Sequence, residues 1–216
     1  MHQVVAPRVR EYLAAHHPPL EPVLAAIRAE GLAEGLPLVD DATMRFLRGL
    51  VVALPARRIL EIGTAIGYSA ACMALAQPAD GSIITMEMDT SRAAAARRNF
   101  ARAGVDARIN VVVGDASRFL HKVAGPFDLI FQDGGKQLYE PLLDRLVDHL
   151  RPGGVLVTDN VLWNGEVVEG FVSPPARDAG DTEAIRRYNQ VLAADTRLLT
   201  TLLPVGDGVA FSVKVR

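Results

Sequence analysis

Two short stretches place acids, an amide and a lysine where a strand should end. In FDLIFQDGGK (127–136) the apolar run Leu129, Ile130 and Phe131 gives way to Asp133, two glycines and Lys136. In GVLVTDN (154–160) a similar run ends in Asp159 and Asn160. Two carboxylates and an amide carbonyl form a hard, all-oxygen donor set. Such a set suits Mg²⁺, Mn²⁺ or Ca²⁺ rather than zinc. Gly134 and Gly135 allow a sharp turn that returns Lys136 toward the same point. A lysine beside a cation has one evident use, to deprotonate a hydroxyl that the cation polarises. Plainer readings stand beside these. Acids are common at strand ends, and Lys136 can be a surface residue capping a helix turn.

These side chains meet only if their strands are neighbours, so the surrounding pattern matters. From Arg58 onward, short apolar runs (RILEIG, SIITMEMD, INVVVGD, FDLIFQD, GVLVTDN) alternate with helical segments. That alternation predicts βαβ units and a parallel sheet with helices on both faces. Adjacent strands then lie about 4.8 Å apart, close enough for the three oxygen-bearing side chains to converge. In LYEPLLDRLVDHLRPGG, Leu138, Leu142, Leu146 and Leu150 recur at spacing four and predict one apolar helix face. Near the end, LLTTLLPV and GVAFSVKV flank GDG, a hairpin signal. The expected fold is an α/β, Rossmann-like, doubly wound sheet, mostly parallel with an antiparallel last strand. Before it, RVREYLAAH, EPVLAAIRAEG and PLVDDATMRFLRGLVVALP read as three helices, the second ending at Gly31. The reading is one domain, 1–216, with an N-terminal helical cap (1–55) on a core (58–216).

Open parallel sheets bind ligands beyond the carboxyl ends of their strands. The first strand ends in EIGTAIGYS, where Gly63 and Gly67 permit a tight turn and a helix starting near Tyr68 and Ser69 offers free N–H groups. The second ends in TMEMD, which puts Glu87 about 20 residues on, the place of a ribose-binding acid. The third ends in GDAS. Asp115, Ala116 and Ser117 face an adenine ring there, or Asp115 is simply a helix N-cap. A glycine loop and an acid suit NAD as well as S-adenosylmethionine. The spacing here is G-x-x-x-G, however, not the dinucleotide G-x-G-x-x-G.

Taken in order, these residues resemble the cation-dependent class I O-methyltransferases, the group that includes catechol and caffeoyl-CoA O-methyltransferases. LEIGTAIGYSA, TMEMD, FDLIFQDGGKQLYEP and RPGGVLVTDNVLWNGEVV carry the resemblance, which covers nearly the whole chain. It implies S-adenosylmethionine and a divalent cation, Mg²⁺ first, as cofactors. It makes Asp133, Asp159 and Asn160 the metal ligands and Lys136 the general base. Gly63, Tyr68 and Ser69 hold the methionine end, with Glu61 behind the loop and Val39 reaching over it. Glu87 takes the ribose hydroxyls, Met88 and Ala116 flank the adenine, and Asp133 also touches the cofactor. Trp163 walls the acceptor pocket or simply packs. Asn189 stands where catechol O-methyltransferase carries an acid that orients the second hydroxyl. The chain departs from relatives at Ala65 and Ile66 and at Gly134 and Gly135. The acceptor is a catechol-type small molecule, its pocket shaped by the N-terminal helices and residues 167–184. A homodimer is implied as well.

Bulk properties narrow the alternatives. The 216 residues carry a net charge of −2 and half of them are hydrophobic. No basic excess points to nucleic acid. No apolar run approaches the roughly 18 residues of a membrane span. The N-terminus lacks a signal-peptide layout, and Cys72, the single cysteine, sits in an apolar helical pattern. The expected location is cytoplasmic. The rivals are an NAD-dependent oxidoreductase, a non-catalytic nucleotide-binding module and, last, a nucleic-acid methyltransferase. The first leaves Lys136, Asp159 and Asn160 without a role.

Overall fold

A computed structural model of the chain describes residues 5–171 and 178–215. Three helices come first: α1 (Pro7–His16), α2 (Pro22–Ala33) and α3 (Asp41–Ala53). The side chain of Asp40 accepts the Ala42 amide and caps α3, a contact that typically contributes about 1 kcal/mol. The core alternates β1 (Arg58–Ile62), α4 (Tyr68–Ala76), β2 (Ser82–Glu87), α5 (Thr90–Arg102), β3 (Ile109–Val113), α6 (Ala116–Phe119), β4 (Phe127–Gln132), α7 (Tyr139–His149) and β5 (Leu150–Asp159). It closes with α8 (Ala179–Ala194), β6 (Leu198–Leu203) and β7 (Val209–Lys214).

The strands form one sheet in the order β3-β2-β1-β4-β5-β7-β6. β1 to β5 pair in parallel, and β7 runs antiparallel between β5 and β6. The expected mostly parallel sheet with a reversed last strand is what forms. β1 and β4 are neighbours although two strands intervene in sequence, so the order reverses between them. Apolar side chains of α2 to α5 pack against one face, and those of α7 and α8 against the other. This explains why Leu60, Leu129, Ile130, Phe131, Leu156 and Val157 are all fully buried. Strands covered on both sides need apolar residues at every position.

Two helix ends differ from the sequence expectation. The leucine spacing continues to Leu150, but α7 stops at His149 and Leu150 already pairs with Phe127 in the sheet. Pro152 cannot extend a helix, and Arg151–Gly154 form an irregular entry into β5. α2 runs through Gly31 to Ala33. Gly31 is there for space: a Cβ would lie 2.8 Å from Leu38 and 2.9 Å from Ile66.

Candidate active site

A cleft of about 750 Å³ opens beyond the carboxyl ends of β1 to β5, at the reversal between β1 and β4. Its floor is the loop after β1. Gly63 has φ +99°, and a Cβ there would lie 2.5 Å from the Asp133 carbonyl oxygen. Gly67 has φ +86° and turns the chain into α4. Between them Ala65 also has positive φ, 46°, a conformation that needs outside support in a residue with a Cβ. Glu87 supplies it, its Oε2 accepting the Ala65 amide at 2.8 Å. Its Oε1 accepts the Asp89 amide at 2.9 Å. A carboxylate offers about four lone-pair positions, so two remain for hydroxyls in the cleft.

Glu61 lies behind this loop with no solvent exposure. It accepts the Ser69 and Thr85 hydroxyls, each at 2.5 Å. Burial outweighs those bonds and pushes its carboxyl up to about 7. Val39, Tyr68, Ser69, Met88 and Ala116 all line the cleft. Met88 is 73 % exposed, offering a large uncovered apolar face. Asp115 lines the cleft too, while its Oδ1 accepts the Ser117 amide and caps α6.

The other half of the cleft gathers the polar ends of β4 and β5. Lys136 Nζ lies 2.6 Å from Asn160 Oδ1, 3.2 Å from Asp133 Oδ1 and 3.2 Å from the Gly134 carbonyl. It also donates to the Tyr139 hydroxyl at 2.7 Å. That hydroxyl in turn donates to the Asp159 backbone carbonyl at 3.0 Å. Burial holds the Tyr139 phenol well above its ordinary range, and the charges of Asp133 and Asp159 add to this. The Asn160 backbone N–H donates to Asp159 Oδ1 at 2.8 Å. Burial raises the carboxyl of Asp159, and Asp133 nearby raises it further. Burial raises Asp133 as well, against the pull of Lys136.

The donor chemistry fits a hard divalent cation. Burial disfavours the charged forms of Asp133 and Asp159, Asp133 raises Asp159 further, and Lys136 Nζ reaches both Asp133 Oδ1 and the Asn160 amide oxygen. Among the described residues no group of three His, Cys, Asp or Glu side chains that could hold a metal ion gathers, and the sequence-expected third donor, the Asn160 amide oxygen, is an amide outside those residue types.

Trp163 is 8 % exposed and lines the cleft, its ring 5.6 Å from Lys136 Nζ. The turn that carries it is strained, with Asn160, Trp163 and Asn164 all at positive φ. Asp207, in the β6–β7 turn, accepts the Asn164 backbone N–H and lines the cleft with Gly206. Asn189 lies one layer back: its Nδ2 donates to the Val161 carbonyl at 2.8 Å, and it is not among the lining residues. From residues 167–184, Asp181 reaches the cleft, while 172–177 lie outside the described residues. Tyr139 and Asp207 were not singled out by sequence. Tyr139 carried a signal, its place three residues after Lys136. Asp207 carried only the GDG hairpin signal, which gives its turn but not the turn's place at this edge.

Residues 21–215 match the sequence profile of a family described as O-methyltransferase. The chain is 36 % identical over 194 residues to a catechol O-methyltransferase of Niastella koreensis, covering 84 % of this chain and 86 % of that one. It is 35 % identical over 185 residues to a caffeoyl-CoA O-methyltransferase of Medicago sativa, covering 80 % and 72 %. The solved structure of an O-methyltransferase from Bacillus cereus in complex with SAH superposes with a TM-score of 0.84 at 31 % identity, covering 96 % and 97 %. The cleft at the strand reversal and the glycine loop backed by Glu87 agree with these likenesses, and the chain belongs to the O-methyltransferase family as an S-adenosylmethionine-dependent enzyme.

Proposed function

We propose that the acceptor is a catechol-type aromatic with adjacent hydroxyls, and that transfer of the methyl group depends on a divalent cation. One observation carries the reading: the Lys136 amine lies within hydrogen-bond reach of both Asp133 and Asn160, in the cleft that the cofactor loop floors. Asp133, Asp159 and Asn160 would hold the cation, which would lower the pKa of an acceptor hydroxyl and favour its ionised form.

In this reading Lys136 is the general base. Its lone pair takes the acceptor's O–H proton, and the electron pair of that bond stays on oxygen. The oxygen attacks the methyl carbon of S-adenosylmethionine in line. The carbon–sulfur bond breaks with its pair going to sulfur, so opposite charges cancel. Alignment is therefore the protein's main contribution. Gly63, Tyr68 and Ser69, with Val39 above, hold the methionine end, and Glu61 stiffens the loop from behind. Glu87 takes the ribose hydroxyls. Met88, Ala116 and Asp115 border the adenine. Trp163 walls the acceptor, and Asn189 acts on that wall through Val161.

The test is calorimetry with S-adenosylmethionine, followed by a panel of catechols with and without Mg²⁺. Cofactor binding with Mg²⁺-dependent turnover of a catechol is the expected result. Turnover of monohydroxy aromatics alone, indifferent to Mg²⁺, overturns the reading. We further propose a cytoplasmic homodimer, with all 216 residues acting as one domain. No helix among the described residues is long and apolar enough to cross a membrane. Val9, Tyr12 and Leu13 on α1, and Leu199 and Leu202 on the edge strand β6, are exposed apolar side chains that a second copy would cover. A monomer by light scattering at micromolar concentration overturns the dimer.

A further inference from the structure

We infer that Tyr139 is a positioning residue that fixes the direction of the Lys136 lone pair, so that the amine meets the acceptor hydroxyl ready to take its proton. The inference rests on the reading of Lys136 as the base.

The argument is an inventory of protons. A neutral lysine amine has two N–H bonds and one lone pair. It accepts a proton through that lone pair, and engaging both N–H bonds elsewhere is what holds the lone pair toward the cleft. Two oxygens outside the proposed cation ligands stand ready to accept them: the Tyr139 hydroxyl at 2.7 Å and the Gly134 carbonyl at 3.2 Å. A tyrosine hydroxyl can either donate or accept. Here its single proton is directed to the Asp159 backbone carbonyl at 3.0 Å. Only the lone pairs of the oxygen then face Lys136, and the contact has one polarity, from Nζ to Oη. If the hydroxyl instead donated to Nζ, it would occupy the lone pair that the reaction needs.

The framework around Tyr139 suits this duty. Lys136 to Leu138 form a single 3₁₀ turn that runs directly into α7. Residues i and i+3 eclipse in such a turn, which sets Lys136 and Tyr139 on one side. Tyr139 is fully buried, and its ring meets that of Tyr188 edge-on at 5.3 Å between centroids. Its hydroxyl cannot follow a wandering lysine, so the lysine is held to the hydroxyl. Tyr188 supplies the contrast. Its own hydroxyl pairs with Thr158 Oγ1 at 2.7 Å, and no bond links it to Lys136.

The experiment measures kcat, KM and melting temperature for Tyr139→Phe, Tyr188→Phe, Lys136→Ala and the double variant Lys136→Ala/Tyr139→Phe. We expect Tyr139→Phe to lower kcat by roughly 10- to 100-fold, the scale of a misplaced catalytic group, with KM for S-adenosylmethionine within about twofold of the parent. Tyr188→Phe, which deletes a buried hydroxyl from the same core, keeps kcat within about twofold. The double variant falls no further than Lys136→Ala alone, because groups acting through one another are not additive. A parent-like kcat for Tyr139→Phe overturns the inference. So does a double variant in which the two losses multiply, or a Tyr188→Phe loss equal to that of Tyr139→Phe. A parent-like rate for Lys136→Ala is a different result: it removes the base itself, and this inference with it.

Discussion

Gly63 and Asp133 touch through their backbones, the α-carbon of one against the carbonyl of the other, so closely that a Cβ on Gly63 would lie 2.5 Å from the Asp133 oxygen. The loop proposed to receive the cofactor and the strand end that carries the proposed cation ligands are thereby one contact apart. Gly63→Ala combines that clash with a strained φ of +99°. We expect a loss of about 1–3 kcal/mol of stability from the backbone strain alone, with weaker S-adenosylmethionine binding. Urea melts and calorimetry check both, and a variant equal to the parent in both shows that the loop moves freely against Asp133.

Glu61 predicts a pH dependence of stability. Its folded carboxyl is raised from 4.5 to about 7 by burial, so the folded state holds the proton more tightly than the unfolded one. The stabilisation is fully present below pH 4.5 and is lost as pH rises to about 7. A shift of that size corresponds to about 3 kcal/mol. Glu61→Gln cannot ionise and should lack this component. Subtracting its urea-melt stability from that of the parent, pH by pH, should leave a fall across that window. Parallel curves refute the assignment.

Glu87 is asked to bind ribose hydroxyls while its carboxylate supports the Ala65 amide. Glu87→Ala should weaken S-adenosylmethionine binding by about 1–3 kcal/mol, the cost of losing a charged hydrogen-bond partner. Titration calorimetry on folded variant is the check, and unchanged affinity sinks the role.

Removing the cation and removing the base should look different. Asp159→Ala and dialysis against EDTA should both abolish methyl transfer while S-adenosylmethionine binding largely survives, because the nucleoside is proposed to sit at the ends of β1 to β3. Full activity after exhaustive EDTA treatment contradicts cation dependence.

Lys136→Ala should lose about 10²- to 10⁴-fold in rate at neutral pH, the usual contribution of a general base. Part of the rate should return at higher pH, where the acceptor hydroxyl ionises unaided. A pH–rate profile of variant against parent decides it, and superimposable profiles exclude Lys136 as the base.

Much of this was readable from sequence because it is local. Leu129, Ile130 and Phe131 announce a buried strand, and Asp133 follows at its end whatever the rest of the chain does. Gly63 and Gly67 turned where glycine was expected to turn. The errors came where one pattern ran into another. Leu150 continues the helical spacing of α7 but belongs to β5, since Pro152 cannot extend the helix. Gly31 has the look of a helix end and is a packing site, visible only once Leu38 and Ile66 are placed beside it. Tyr139 was in plain view, but its importance lies in the direction of one proton, which depends on the Asp159 carbonyl 20 residues away. Asp207 lay in the GDG hairpin that the sequence signalled, but its arrival at the cleft depends on the strand order.

That last residue shows what the reversal of β7 does for the enzyme. Were β7 parallel to its neighbours, it would need a long crossover, and the edge beyond β5 would end in another strand terminus. Because it runs backwards, β6 and β7 deliver a short turn, residues 204–208, to the same edge as the ends of β1 to β5. Gly206 and Asp207 therefore form a rim that no sheet hydrogen bond between β1 and β5 depends on. The floor proposed for the cofactor and this rim of the cleft are separate pieces of construction, so the rim can be recut in length or charge while the floor stays as it is.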